Sequence, residues 1–176
     1  DDAKNRRSVL SYLRGEQKDG SANRKDCDFC SVIALEIEDT GTHIITCIGI
    51  AFEVRKSDSE IKKFVYFSHS GKMPESEYLT EQGVCYSNQE IKKLISARTK
   101  SDDNRGKGEV NRIYGSKEAY LGTLYDVILG YIDQNRFITM EKSAIALKMT
   151  NGTGQFIRDY MFPKNTSNTI ATISEQ

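Results

Sequence analysis

The sequence predicts an α+β fold in which an antiparallel sheet of about five strands packs against two main helices. One observation is the alternation of apolar and polar residues in short runs between residues 31 and 68, which is typical of strands joined by turns. A second is a pair of later stretches with apolar residues three and four positions apart, each preceded by a serine that can cap a helix. A third is the Asn151-Gly152 dipeptide, which favours a hairpin turn.

Length and composition indicate an ordinary globular chain. Its 176 residues suggest a single domain over 1–176, and 38% hydrophobic and 28% charged residues are close to average values. Lysine plus arginine and aspartate plus glutamate number 25 each, so the charge gives no strong signal for nucleic acid. No apolar run approaches the roughly 18 residues of a membrane span. The opening Asp1-Asp2 suggests a piece excised from a longer chain, and nothing predicts the oligomeric state.

The first half of the chain predicts one short helix followed by a three-stranded meander. Val9, Leu10 and Leu13 share one side of the helix, which Gly15 would end. The β-branched and aromatic content of the next runs favours strands over helices. The predicted segments are a helix over 6–14, strands over 31–37, 42–54 and 61–68, a turn over 39–41 and a polar loop over 55–60.

The second half predicts two helices and two further strands. Ser87 and Glu90 have the spacing of a capping box, and Ser116 caps the longest helix. Tyr120, Tyr125 and Tyr131 are expected to pack rather than to bind a ligand. The predicted segments are a polar loop over 71–86, a helix over 87–98, a long mobile loop over 99–115, a helix over 116–134, strands over 137–149 and 155–162, and a frayed tail over 163–176. A helix over 141–149 is an alternative to the second part of the strand over 137–149.

The four cysteines predict free thiols in a reducing compartment, because they are too few for a disulfide scaffold of this length. Cys27, Cys30, His43 and Cys47 match the spacing of a zinc finger, but on a strand His43 and Cys47 would lie about 13 Å apart and could not share an ion. We therefore expect no metal and no cofactor. Zinc held by Cys27, Cys30 and Cys85, in a binding module or a zinc-dependent deaminase, is an alternative.

The register of the hairpin over 42–68 decides which residues meet. A register that sets Cys47 opposite His69 also pairs Glu53 with Lys63. It creates two further pairs that contain aromatic rings, Phe52 with Phe64 and Ile50 with Tyr66. Sliding one strand by two residues loses the charge pair, so the sequence favours the first register.

Cys47 opposite His69 is the minimum arrangement for a thiolate nucleophile with an acid and a base beside it. Gly49 and Ala51 follow on the same face and leave it short of bulk, as a substrate groove would need. The competing interpretation is that Cys47 is a small buried apolar residue, which free cysteines usually are.

The segment over 64–71, an aromatic strand running into His69-Ser-Gly71, resembles the Cys/His protein glutamine deamidases. These include the chemoreceptor deamidase and the cytotoxic necrotizing factor toxins. The resemblance is confined to this hairpin, and Thr46 stands where the family has a small residue before its nucleophile. It implies amide hydrolysis of a protein side chain in the reducing cytosol, after delivery within a larger secreted protein. It also implies Cys47 as the nucleophile and His69 as the base and acid.

Two further roles complete this hypothesis. The hydroxyl of Thr46 or Ser68, or a backbone carbonyl, would orient the His69 ring, and backbone amides near Cys47 would bind the oxyanion. The alternative function is a non-catalytic protein-interaction domain in which Cys47 belongs to the core. The acidic loop over 75–81 and the basic loop over 98–117 would then contact the partner.

Overall fold

The computed structural model describes residues 7–101 and 110–145, and side-chain positions for residues 7–100 and 110–143. The chain divides into two compact units, Asp1–Gly130 and Tyr131–Gln176. In the first unit the strands are β1 Phe29–Asp39, β2 Ile44–Val54, β3 Lys63–Ser70 and β4 Arg112–Tyr114, and the helices are α1 Val9–Arg14, α2 Asn88–Ser101 and α3 Lys117–Gly122. A π-helical turn, Thr123–Ile128, continues α3, and the described part of the second unit contains α4, Gln134–Ile145.

The sheet is antiparallel throughout, with the strand order β1-β2-β3-β4. The predicted register is confirmed, since Cys47 pairs with His69 and Glu53 with Lys63. The α+β class is also confirmed, with four strands in the described part of the chain rather than about five. The predicted turn at Asn151-Gly152, the strand over 155–162 and the tail over 163–176 lie outside the described residues.

Two helix ends follow from the sequence as predicted. Gly15 ends α1 in the left-handed conformation, with φ of 65°, and its backbone N–H returns to the last turn. Ser87 and Glu90 form the capping box of α2, because the Glu90 carboxylate accepts from the Ser87 backbone N–H at 2.7 Å. In return, the Ser87 hydroxyl accepts from the Glu90 N–H at 3.3 Å.

Other element boundaries differ from the predictions. The strand predicted over 137–149 is wrong where it is described, because Gln134–Ile145 is helical, and the alternative of a helix over 141–149 agrees with the structure as far as Ile145. The loop predicted over 99–115 is shorter at both ends, since α2 continues to Ser101 and Arg112–Tyr114 forms β4. Ser116 caps α3 as predicted, but this helix ends at Gly122, and its π-helical continuation ends at Ile128.

Both faces of the sheet pack against helices. On one face, Ala51 and Phe67 meet Ile91 and Ile95 of α2. On the other face, α1 covers Phe52 and Val54, while α3 and the π-helical turn cover Ile48 and Tyr114. As predicted, Tyr120 and Tyr125 are buried, whereas Tyr131 is 85% exposed and does not pack as expected. Among the described residues, no helix combines the length and the apolar character needed to cross a membrane.

Candidate functional site

Cys47 and His69 lie directly opposite each other on the two central strands, β2 and β3. Successive side chains of a strand alternate between the faces, so both residues lie on the face that packs against α2. Both are 0% exposed. The sequence-predicted pair is therefore brought together, but inside the protein rather than at its surface.

Residues 71–87, which we call the covering segment, lie over this pair. The Tyr78 hydroxyl is 2.8 Å from Nε2 of His69, and the Cys47 thiol donates to the Gly71 carbonyl at 3.3 Å. Tyr78 is itself only 2% exposed. Sequence reasoning missed Tyr78, and the only signal was an aromatic residue in the middle of a polar loop.

The hydrogen bonds of the His69 ring identify its tautomer. Nδ1 lies 2.9 Å from the carbonyl oxygen of Ser70, and because a carbonyl only accepts, Nδ1 carries the proton. Nε2 then accepts from the Tyr78 hydroxyl. Burial lowers the pKa of His69, so the ring is neutral at neutral pH.

Cys47 is a thiol rather than a thiolate in this arrangement. Burial raises its pKa to about 11, although the neighbouring Tyr78 hydroxyl acts in the opposite direction. Burial likewise raises the pKa of the Tyr78 hydroxyl above its ordinary range. Beneath the covering segment, Cys47 and Tyr78 therefore both keep their protons, and the Cys47–His69 pair is not activated.

Thr46 and Ser68 do not reach the His69 ring. Each neighbours Cys47 or His69 along its strand, so strand alternation directs it to the opposite face. The Ser68 hydroxyl there donates to the Val110 carbonyl and lies 2.7 Å from the Tyr114 hydroxyl. In the structure these two hydroxyls do not contact the ring, whereas the backbone carbonyl of Ser70 does.

Two residues that sequence reasoning missed hold the Ser70 backbone in place. Nη1 of Arg98, on α2, donates to the Ser70 carbonyl at 2.7 Å. Oδ1 of Asn111 accepts from the Ser70 N–H at 3.0 Å. The Ser70 backbone is thus held at its carbonyl by Arg98 and at its N–H by Asn111. No local pattern signals either contact, because both join residues distant along the chain.

The groove predicted beside Cys47 is filled. A Cβ atom at Gly49 would lie 2.7 Å from the Phe67 ring, so that ring occupies the space which the glycine leaves. The predicted oxyanion donors are also engaged, since β2 pairs with β1 on one side and β3 on the other. A substrate would therefore need the covering segment to move.

The alternative zinc site is not assembled in the structure. Among the described residues, no three histidine, cysteine, aspartate or glutamate side chains are grouped so that they could hold a metal ion. Cys27, Cys30 and Cys85 are free thiols, and Cys27 is exposed. His43 lies in the turn before β2, where Nδ1 is 3.1 Å from the Glu38 carboxylate.

Comparisons of the chain with family models, with curated proteins and with solved structures found no match. The resemblance to the glutamine deamidases therefore stays a prediction that depends on the residues of one hairpin.

Proposed function

We propose that the chain is a thiol-dependent amide hydrolase that deamidates glutamine side chains of a protein, and that the described arrangement is its resting form. The observation that carries the proposal is the direct opposition of Cys47 and His69, with the Tyr78 hydroxyl hydrogen-bonded to the ring. The tautomer supports it as well, because Nδ1–H donates to Ser70 and leaves Nε2 as the basic nitrogen.

In this mechanism the covering segment opens first. Withdrawal of Tyr78 frees Nε2 of His69, which takes the proton of the Cys47 thiol. Exposure to water also removes part of the burial that raises the thiol pKa. Backbone conformation is consistent with a segment that moves, since Glu77 and Tyr78 have φ of 47° and 63°, which is costly for residues other than glycine.

The reaction then has two steps, the formation of a thioester on Cys47 and its hydrolysis. The Cys47 thiolate attacks the carboxamide carbon, the C–N bond breaks, and the His69 imidazolium supplies the proton with which ammonia leaves. Water next attacks the thioester carbon and gives a proton to His69. The C–S bond breaks, the product carries a glutamate side chain, and His69 returns the proton to Cys47. Arg98 contributes positive charge that favours the thiolate.

The first test is alkylation of the native protein by iodoacetamide between pH 5 and 9, with the labelled cysteines identified by mass spectrometry. Cys47 should label slowly in the unaltered chain, and Tyr78→Ala should accelerate it strongly near neutral pH. Adding His69→Ala should abolish that acceleration. Tyr86→Ala, a change to the other tyrosine of the covering segment, is the matched control and should have a smaller effect.

The second test looks for the reaction itself. A cell extract is incubated with the Tyr78→Ala protein, and conversion of glutamine to glutamate is mapped by mass spectrometry. Conversion should disappear with Cys47→Ser and persist with Cys85→Ser. The proposal is wrong if the Cys47→Ser protein is as active, or if the rapid labelling of Cys47 does not depend on His69.

A non-catalytic interaction domain is the second candidate. The complete burial of Cys47 and His69 and the raised pKa of the thiol favour it, because both are typical of core residues. In that case, Tyr78→Ala would destabilise the fold without making Cys47 reactive at neutral pH. The alkylation profile therefore separates the two functions.

A further inference from the structure

Strand β1 forms one edge of the sheet. It is 11 residues long and pairs only with β2; no described strand pairs with its other edge. Long edge strands offer unpaired backbone groups to other chains, and proteins usually shorten, bend or charge them. The outer edge of β1 is thus a candidate surface for a partner strand.

Two observations identify which backbone groups point outward. The Ile33 carbonyl points toward β2, because a Cβ atom at Gly49 would lie 2.8 Å from it. The backbone N–H of Val32 faces the Cys85 sulfur. In an antiparallel strand the inward and outward residues alternate, so the even-numbered residues present their N–H and C=O groups to the edge. Because the Val32 N–H faces Cys85, the outward backbone groups left for a partner strand are those of Ala34, Glu36 and Glu38.

The two faces of this edge differ in chemistry. Ile33 and Leu35 are 52% and 60% exposed, and they project on the face of α1 and α3. Glu36 and Glu38 are exposed and project on the opposite face. The Glu36 carboxylate accepts from the Met73 backbone N–H at 2.8 Å. The Glu38 carboxylate lies 3.1 Å from Nδ1 of the exposed His43 ring. A strand added here would meet aliphatic side chains on one face and carboxylates on the other.

We propose that the 34–38 edge of β1 binds an extended segment of a partner protein in which aliphatic residues alternate with lysine or arginine. Backbone hydrogen bonds to Ala34, Glu36 and Glu38 hold the segment, as in other cases of strand addition. Its aliphatic residues lie beside Ile33 and Leu35, and its cations lie beside the two glutamates. The inference is independent of the proposed hydrolase chemistry, because it uses neither Cys47 nor His69.

The probe for this proposal is a short peptide of alternating valine and lysine, added to the full isotope-labelled chain and followed by NMR. Amide shifts should concentrate at residues 34–38. Replacing both Glu36 and Glu38 by glutamine should weaken binding at least about threefold, since two exposed charge pairs are lost. Glutamine at position 36 keeps an acceptor for Met73. The matched control, with glutamine at Glu60 and Glu118, should bind as the unaltered chain does.

A second probe separates strand addition from simple charge attraction. The same peptide with methylated backbone nitrogens on the pairing edge keeps its charges but loses the hydrogen bonds, so it should not bind. Equal binding of the methylated peptide, or no shift at residues 34–38, would overturn the proposal. Shifts at these amides that depend on protein concentration without peptide would also overturn it, and would assign the edge to a second copy of the chain.

Discussion

At the scale of single residues, each ring nitrogen of the buried His69 has a hydrogen-bond partner, on the sheet face that packs against α2. The ring donates to the Ser70 carbonyl and accepts from the Tyr78 hydroxyl. A buried polar group is costly without a partner, and here each nitrogen has one. These contacts stabilise the neutral ring, because a protonated Nε2 could no longer accept the hydrogen bond of Tyr78.

This arrangement predicts a pH dependence of stability that belongs to His69. Its pKa is lowered in the folded protein, so the unfolded chain binds the proton first as the pH falls. The stabilisation is present above the ordinary pKa of about 6.5 and is lost as the pH falls through the depressed folded value. The slope due to one such group is at most about 1.4 kcal/mol per pH unit. Denaturant unfolding between pH 5 and 8 measures it.

Two variants assign the slope to the residue. His69→Gln should flatten the dependence relative to the unaltered chain, although it lowers stability overall. His43→Gln changes the other histidine, which is exposed in the turn before β2, and is the matched control against which the slope of the His69→Gln protein is compared. If His69→Gln retains the full slope, the buried neutral ring is not its source.

At the scale of elements, strand β2 organises the first unit, and its register was predictable from the sequence. The favoured register pairs Glu53 with Lys63, and the register slid by two residues does not. In the structure, Nζ of Lys63 lies 3.9 Å from Oε2 of Glu53. Strand alternation alone directs Thr46 and Ser68 away from the face of Cys47 and His69, so the sequence itself argues against a contact of these hydroxyls with the ring. Local patterns thus predict the pairing of β2 with β1 and with β3, and the two central residues of the site.

Other features depend on contacts that no local pattern carries. Strand β4 has three residues and forms by pairing with β3, so the sequence around it looks like loop. Tyr78 meets His69 only because the covering segment folds back over the sheet. For α4, Phe137 and Thr139 favour a strand, but Met140, Glu141 and Lys142 are strong helix formers. Tertiary context decides such segments.

Gly49 tests the packing between β2 and β3. Alanine usually suits a strand better than glycine does, but here its Cβ would lie 2.7 Å from the Phe67 ring. We expect Gly49→Ala to lower the free energy of unfolding by about 1–3 kcal/mol, as overpacking does. Gly115→Ala is the control, because nothing lies within 4 Å of its Cβ position. It should change the unfolding free energy by less than about 1 kcal/mol. Equal effects in denaturant unfolding would contradict the close packing at Gly49.

At the scale of the whole molecule, the described core belongs to the first unit. All three clusters of buried apolar residues draw their members from residues 10–128, and the unit extends to Gly130. Hydrophobic burial is the main favourable contribution to folding, so these clusters are the main described source of the first unit's stability. The candidate site and the edge of β1 both lie within this unit.

A fragment of residues 1–130 should therefore fold by itself. We expect it to unfold cooperatively in denaturant and to keep the amide shifts of the sheet, because it retains every described core contact. A fragment of residues 1–115 is the informative comparison. It lacks Tyr120, Leu121, Leu124 and Ile128, which cover Ile48 and Tyr114, and losing several buried side chains should cost more than about 3 kcal/mol. If the fragment of residues 1–130 unfolds without cooperativity, residues 131–176 contribute to the stability of the sheet, and the division into two units does not describe how the chain folds.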